Sequence, residues 1–200
     1  MQRGQAVCDR PTIAGALTSE DGGRTWTRRT GTGFDTSTVP AVAVHTRDHD
    51  TAWAATMDKG IFKTTDGGIH WSVASTGLAD LRVESLAVDP ARPDVLYAGT
   101  SSRGVYRSSD GGGTWTASRT GMTATEEIRA VVVNPGQPDV VYAGSAASGV
   151  YVSTDGGTSW ARMNDGLRNR DVRTLALSAD GRVLYAGTYG EGVFRLGAVH

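Results

Sequence analysis

Apolar positions in this chain fall into short runs rich in β-branched and aromatic residues, each bounded by clusters of Gly, Pro and Asp. Runs of that kind read as strands, and no segment offers an amphipathic helix. One column of runs is Val39–Val44, Val83–Val88, Ile128–Val133 and Val172–Leu177. A second, after a polar turn, is Thr51–Ala55, Val95–Gly99, Val140–Gly144 and Val183–Gly187. A Gly then opens a third, Ile61–Lys63, Val105–Arg107, Val150–Val152 and Val193–Arg195. These columns predict strands A, B and C of a repeated unit.

In four copies strand C runs into one octapeptide: Ser19–Trp26, Thr64–Trp71, Ser108–Trp115 and Ser153–Trp160. Its Trp is expected to begin a fourth strand, D. Successive Trp residues, at 26, 71, 115 and 160, are 45, 44 and 45 positions apart. A four-stranded unit of that period matches a β-propeller blade, which buries its apolar faces only by stacking on neighbours. The sequence therefore predicts an all-β chain of about five blades in a single domain spanning 1–200, with copies at 1–31, 32–77, 78–121, 122–166 and 167–200.

The first copy is expected to lack strand A, with its strand B at Ala6–Arg10, and the last to lack strand D. Three arrangements accommodate this: a five-bladed ring with two thinned blades, part of a larger ring, or association with a second copy.

Within the octapeptide, Asp21, Asp66, Asp110 and Asp155 are placed to accept backbone N–H groups in a tight turn. Gly23, Gly68, Gly112 and Gly157 supply a positive φ, and Ser19, Thr64, Ser108 and Ser153 add a hydroxyl. Trp26, Trp71, Trp115 and Trp160 offer large apolar faces that need one hydrogen-bond acceptor each. Four equivalent acids on four blades stand far apart, whereas a catalytic pair must flank one bond within roughly 5 to 10 Å. One carboxylate per turn also falls short of the six to eight oxygens, roughly, that calcium takes. These aspartates are expected to be structural. His70 stands where the other copies have Thr or Ser and retains a donor.

The phrase closely resembles the Asp-box, or bacterial neuraminidase repeat, of sialidases, sortilin-type receptors, xyloglucan-cleaving endoglucanases and photosystem II assembly propellers. The resemblance covers nearly the whole chain. It implies a β-propeller in which the Asp-box is a structural turn away from the ligand face, and it points to a secreted or periplasmic setting.

The chain has 20 Lys plus Arg and 21 Asp plus Glu, a net charge of −1. That balance removes the electrostatic motive for binding nucleic acid or an anionic membrane. No apolar stretch approaches membrane-spanning length, and the first thirty residues show no signal-peptide pattern. Cys8, the single cysteine, excludes an intrachain disulfide and a thiolate metal cluster, and is expected as a small buried filler in strand B. His45 and His49 lie near a strand end without a clear third ligand, so no metal and no cofactor is expected.

Function is expected where loops vary on a constant frame, opposite the Asp-box turns. There the sequence gathers Asp58, Lys59, Arg103, Tyr189 and Glu191 from the B-to-C turns. The D-to-A connections add Glu126, Glu127, Arg168, Arg170 and Asp171, and the second position of strand A adds Glu84, Arg129 and Arg173. Asp58, Glu126 and Glu127 are the candidates for acid catalysis, and the others for ligand binding. Arginines beside a tyrosine and acids are the raw material of a sialidase pocket. Yet the Arg-Ile-Pro phrase is absent, and the residues around Asp58 do not reproduce the endoglucanase Asp-x-Gly-Gly-Ala-Tyr-Arg phrase. The expectation is a non-catalytic module that binds a protein or a glycan. The alternative is a glycoside hydrolase, sialidase-like or endoglucanase-like, or a fragment of one.

Overall fold

The computed structural model describes residues 15–197, and these contain strands and turns but no helix. The expected strand at Ala6–Arg10, Cys8 within it, and the last three residues lie outside the described residues. The first sheet pairs β1 (Ala16–Thr18) with β2 (Thr27–Arg29). The second is a meander of β3 (Ala41–Val44), β4 (Ala52–Thr56), β5 (Gly60–Thr64) and β6 (Ser72–Val73). The third is β7 (Val83–Val88), β8 (Leu96–Thr100), β9 (Val105–Ser108) and β10 (Thr116–Ala117). The fourth is β11 (Ile128–Val133), β12 (Val141–Ser145), β13 (Gly149–Ser153) and β14 (Ala161–Arg162). The fifth has three strands, β15 (Val172–Leu177), β16 (Val183–Thr188) and β17 (Gly192–Gly197).

Strand A of each sheet packs beside strand A of the next, β3 against β7, β7 against β11 and β11 against β15. The cores lie between sheets. Trp53, Ile61 and Ala74 of the second sheet share one core with Val83, Leu96, Tyr106 and Trp115 of the third. Tyr97 and Val105 of the third meet Ile128, Tyr151 and Trp160 of the fourth, whose Tyr142 and Val150 meet Val172 and Leu184 of the fifth. Burying such a side chain contributes about 1.5–3 kcal/mol, which is why isolated sheets do not suffice.

Two expectations are corrected. The Trp of the octapeptide precedes strand D instead of opening it; in the third and fourth octapeptides its backbone N–H is spent on the preceding sheet, Trp115 N donating to Thr76 O and Trp160 N to Thr120 O, each at 2.8 Å. Strand A of the second sheet begins at Ala41 and not at Val39, since Pro40 has no N–H to give a ladder.

Candidate functional site

The Asp-box turns are held as their residue types require. In the third sheet Asp110 Oδ1 accepts Ser108 Oγ and Thr114 N, while Oδ2 accepts Thr114 Oγ1 at 2.7 Å. His70 replaces that hydroxyl with Nδ1, 2.6 Å from Asp66 Oδ2. These bonds hold the four carboxyls well below the usual range, each at about 2; the leading cause is the Thr25 side chain for Asp21, the His70 N–H for Asp66, the Thr114 N–H for Asp110 and the Ser159 hydroxyl for Asp155. Gly112 and Gly157, at φ 85° and 86°, admit the rings of Trp53 and Tyr97 from the preceding sheet; a Cβ there would stand 2.8 Å from each ring. Trp115 and Trp160 donate Nε1 back to Ala74 O and Ser118 O, whereas Trp26 and Trp71 bond their own turns at Gly23 O and Gly68 O. On this side a groove of about 420 Å³ between the third and fourth sheets is lined by Arg107, Thr116, Ser118, Asp155 and an Arg92–Asp139 ion pair.

The opposite loop face carries the charged residues singled out in the sequence. In three sheets strand A has a bulge at its second position, between Val83 and Ser85, Ile128 and Ala130, and Val172 and Thr174. The extra residues are Glu84, Arg129 and Arg173. A bulge leaves one residue out of the pairing and re-aims its side chain, so each points off the ladder and not into an inter-sheet core.

Two of them join one network. Arg129 Nε donates to Glu127 Oε1 at 2.7 Å and its terminal nitrogen to Asp171 Oδ1 at 2.6 Å. Asp171 also takes Arg173 in a two-pronged contact, Nε at 2.9 Å and a terminal nitrogen at 3.0 Å. The Arg173 guanidinium lies 4.7 Å from the Tyr189 ring centroid. Asn169 fixes the ends of this arrangement: Oδ1 accepts Asp171 N and Nδ2 donates to Tyr189 O at 2.6 Å. Charges thus alternate Glu127, Arg129, Asp171, Arg173 across two sheets and end on an exposed aromatic face.

Other candidates are placed differently. Glu126 is 4% exposed, and its carboxylate accepts the hydroxyls of Ser145, Thr123 (2.5 Å), Ser148 (3.1 Å) and Tyr151 (3.0 Å). Burial raises its pKa, but the hydroxyls of Ser145, Thr123, Ser148 and Tyr151 outweigh that and hold the carboxyl below its ordinary value. It pins the D-to-A connection to the following B-to-C turn. Glu84 accepts Ser101 Oγ at 2.7 Å, and Lys59 Nζ donates to Gly33 O at 3.0 Å. Asp58, Arg103, Arg168, Arg170 and Glu191 are exposed. His45 Nδ1 accepts the N–H groups of Arg47 and Asp48, and no cluster of three metal-ligating side chains occurs among the described residues. Among the described residues no helix is long and apolar enough to cross a membrane.

Sequence reading missed Asn169, whose Asn-x-Asp spacing beside strand A was the available signal. It also missed Asp80, which accepts both Ser102 N and Ser102 Oγ in the third sheet.

The family model described as BNR/Asp-box repeat matches residues 151–162, which run from strand C through the turn and Trp of the fourth copy. An ancestral GH74 enzyme is similar in structure, with a TM-score of 0.74 at 24% identity over 87% of this chain and 24% of its own. The GH74 enzyme of Niastella koreensis gives 0.75 at 24% identity over 94% of this chain and 33% of its own. YCF48 bound to a D1 peptide gives 0.65 at 21% identity over 91% of this chain and 57% of its own. The chain therefore carries Asp-box repeats on a β-propeller fold, while spanning a quarter to a third of the length of those two GH74 enzymes. No curated protein sequence matches it.

Proposed function

We propose that this chain is a binding module that recognises a protein partner through the loop face, at Glu127, Arg129, Asp171, Arg173 and Tyr189. One observation carries the reading: an alternating, charge-balanced row that spans two sheets and ends on an exposed tyrosine. Such a row offers donors and acceptors in fixed order, which suits a polypeptide segment of mixed charge better than a neutral glycan. YCF48, of similar fold, is seen bound to a D1 peptide, which is consistent with this assignment.

A glycoside hydrolase is the weaker reading. Glu126, the buried acid of the loop face, is enclosed by four hydroxyls. Asp58 lies in an exposed turn. The test is to probe one array of peptides and one of glycans with the purified chain, and to assay xyloglucan and a fluorogenic sialoside alongside. Peptide capture without turnover is expected, and glycan capture or turnover would overturn the reading.

A further inference from the structure

In two inter-sheet joints a pair of cross-strand neighbours on strands B and C stands at the contact, and its aromatic member donates a bond into the next sheet. In the second sheet the pair is Trp53 and Lys63, and both donate to Gly111 O, from Nε1 at 3.0 Å and Nζ at 2.9 Å. In the third sheet the pair is Tyr97 and Arg107, and the Tyr97 hydroxyl donates to Gly156 O at 2.9 Å. Gly111 and Gly156 occupy the same place, directly after the Asp of the Asp-box. In the fourth sheet the pair is Tyr142 and Val152. It faces the fifth sheet, which has no Asp-box among the described residues, and there the cation is replaced by an aliphatic side chain. Where both strands are described, an aromatic plus a cation thus accompanies an Asp-box in the next sheet. In β1 the strand C position is Thr18, whose methyl lies against Gly68, and its strand B partner lies outside the described residues.

The fifth sheet carries the full pair, Tyr185 and Arg195. Its face is uncovered: Tyr185 is 42% and Val193 72% exposed, whereas Tyr97, Tyr142, Val105 and Val150 at the matching positions are 0% exposed. One Asp-box is also left open in the same molecule. The first turn is exposed over residues 20–26, with Trp26 at 37% against 2% for Trp115 and 5% for Trp160. Its Asp21 carboxylate is ionised and bonded within the turn, giving it a charge opposite to that of Arg195.

We propose that the face formed by Tyr185, Val193 and Arg195 is a docking surface for the first Asp-box of a second copy of this chain, with Tyr185 and Arg195 donating to the carbonyl of Gly22. The joint is head-to-tail: its aromatic donor repeats a contact made twice inside the chain, by Trp53 and Tyr97, and its cation repeats the Lys63 contact, so copies add in series or close into a ring. It is independent of the loop-face reading above.

The experiment is light scattering on size-exclusion fractions of the full chain over a wide concentration range. Association above the 21.0 kDa monomer that grows with concentration is expected. Arg195→Val copies the Val152 arrangement at an exposed position, and with Tyr185→Ala it disables the face; Asp21→Ala disables the turn. Each variant is expected to weaken self-association by about tenfold or more while keeping its β-sheet circular dichroism. Mixing a face variant with the turn variant is expected to restore a heterodimer, because each retains one intact half. A wild type that stays monomeric throughout, or association that Arg195→Val leaves unchanged, overturns the proposal. So does a mixture that restores nothing, the result expected if the two halves join within one chain.

Discussion

The hydroxyl of Tyr97 lies 2.9 Å from the carbonyl oxygen of Gly156, a bond that ties strand B of one sheet to the Asp-box of the next. Tyr97 is 0% exposed and Gly156 half-buried, so removing the hydroxyl deletes a largely shielded bond. Tyr97→Phe is therefore expected to lower stability by about 1–2 kcal/mol, read as a shift in urea midpoint at constant slope. An unchanged midpoint would show that the joint is held by packing alone.

Gly157→Ala attacks the same joint from the other side. A Cβ there meets the Tyr97 ring at 2.8 Å, and φ is 86°. The two effects together are expected to cost about 2–4 kcal/mol, more than the phenol bond. Gly166→Ala, at φ 77° with nothing near the added Cβ, is the control that carries backbone strain alone and costs about 1–2 kcal/mol.

The strand columns and turn residues that define this joint are legible in the sequence because they repeat in register, down to Ser, Asp, Gly and Trp at fixed places. What docks on what is not, since Trp115 and Trp160 reach back to the preceding sheet and Tyr97 reaches forward to the following one. The loop-face residues Arg129, Asp171, Arg173 and Tyr189 were placed on one face by strand order. Their linkage depends on bulges at Arg129 and Arg173, which only slightly disturb the apolar alternation. Glu126 stands in the sequence as a candidate catalytic acid, and its enclosure is not legible there because its four hydroxyl partners come from separate places, Thr123, Ser145, Ser148 and Tyr151.

Glu126→Gln tests that buried carboxylate. An amide presents two N–H donors to a shell of hydroxyls arranged to donate, and it removes the charge that strengthens those bonds. A loss of about 2–3 kcal/mol is expected in denaturant unfolding. Glu127→Gln, on a half-buried neighbour, is expected to cost less than about 1 kcal/mol.

The Asp-box carboxyls make stability depend on acid pH. Their pKa values of about 2 lie below the ordinary 3.8, so the stabilisation they give is fully present above pH 4 or so and is lost as pH falls toward 2. Urea midpoints measured through this window should fall, and the slope should flatten in Asp110→Asn and Asp155→Asn. A midpoint constant from pH 5 to about pH 2 would contradict the assignment.

The central claim is that the Glu127–Arg129–Asp171–Arg173–Tyr189 row is where a protein partner binds. The direct measurement is peptide-array binding by the wild type, by Arg129→Ala with Arg173→Ala, and by Asp110→Asn as a control on the Asp-box side. Arg173 contributes an exposed ion pair, so Arg173→Ala alone should cost under about 1 kcal/mol of stability. Loss of peptide capture in the double variant, with capture kept in Asp110→Asn and weakened by salt in the wild type, is the predicted result. Capture that survives in the double variant would contradict the claim.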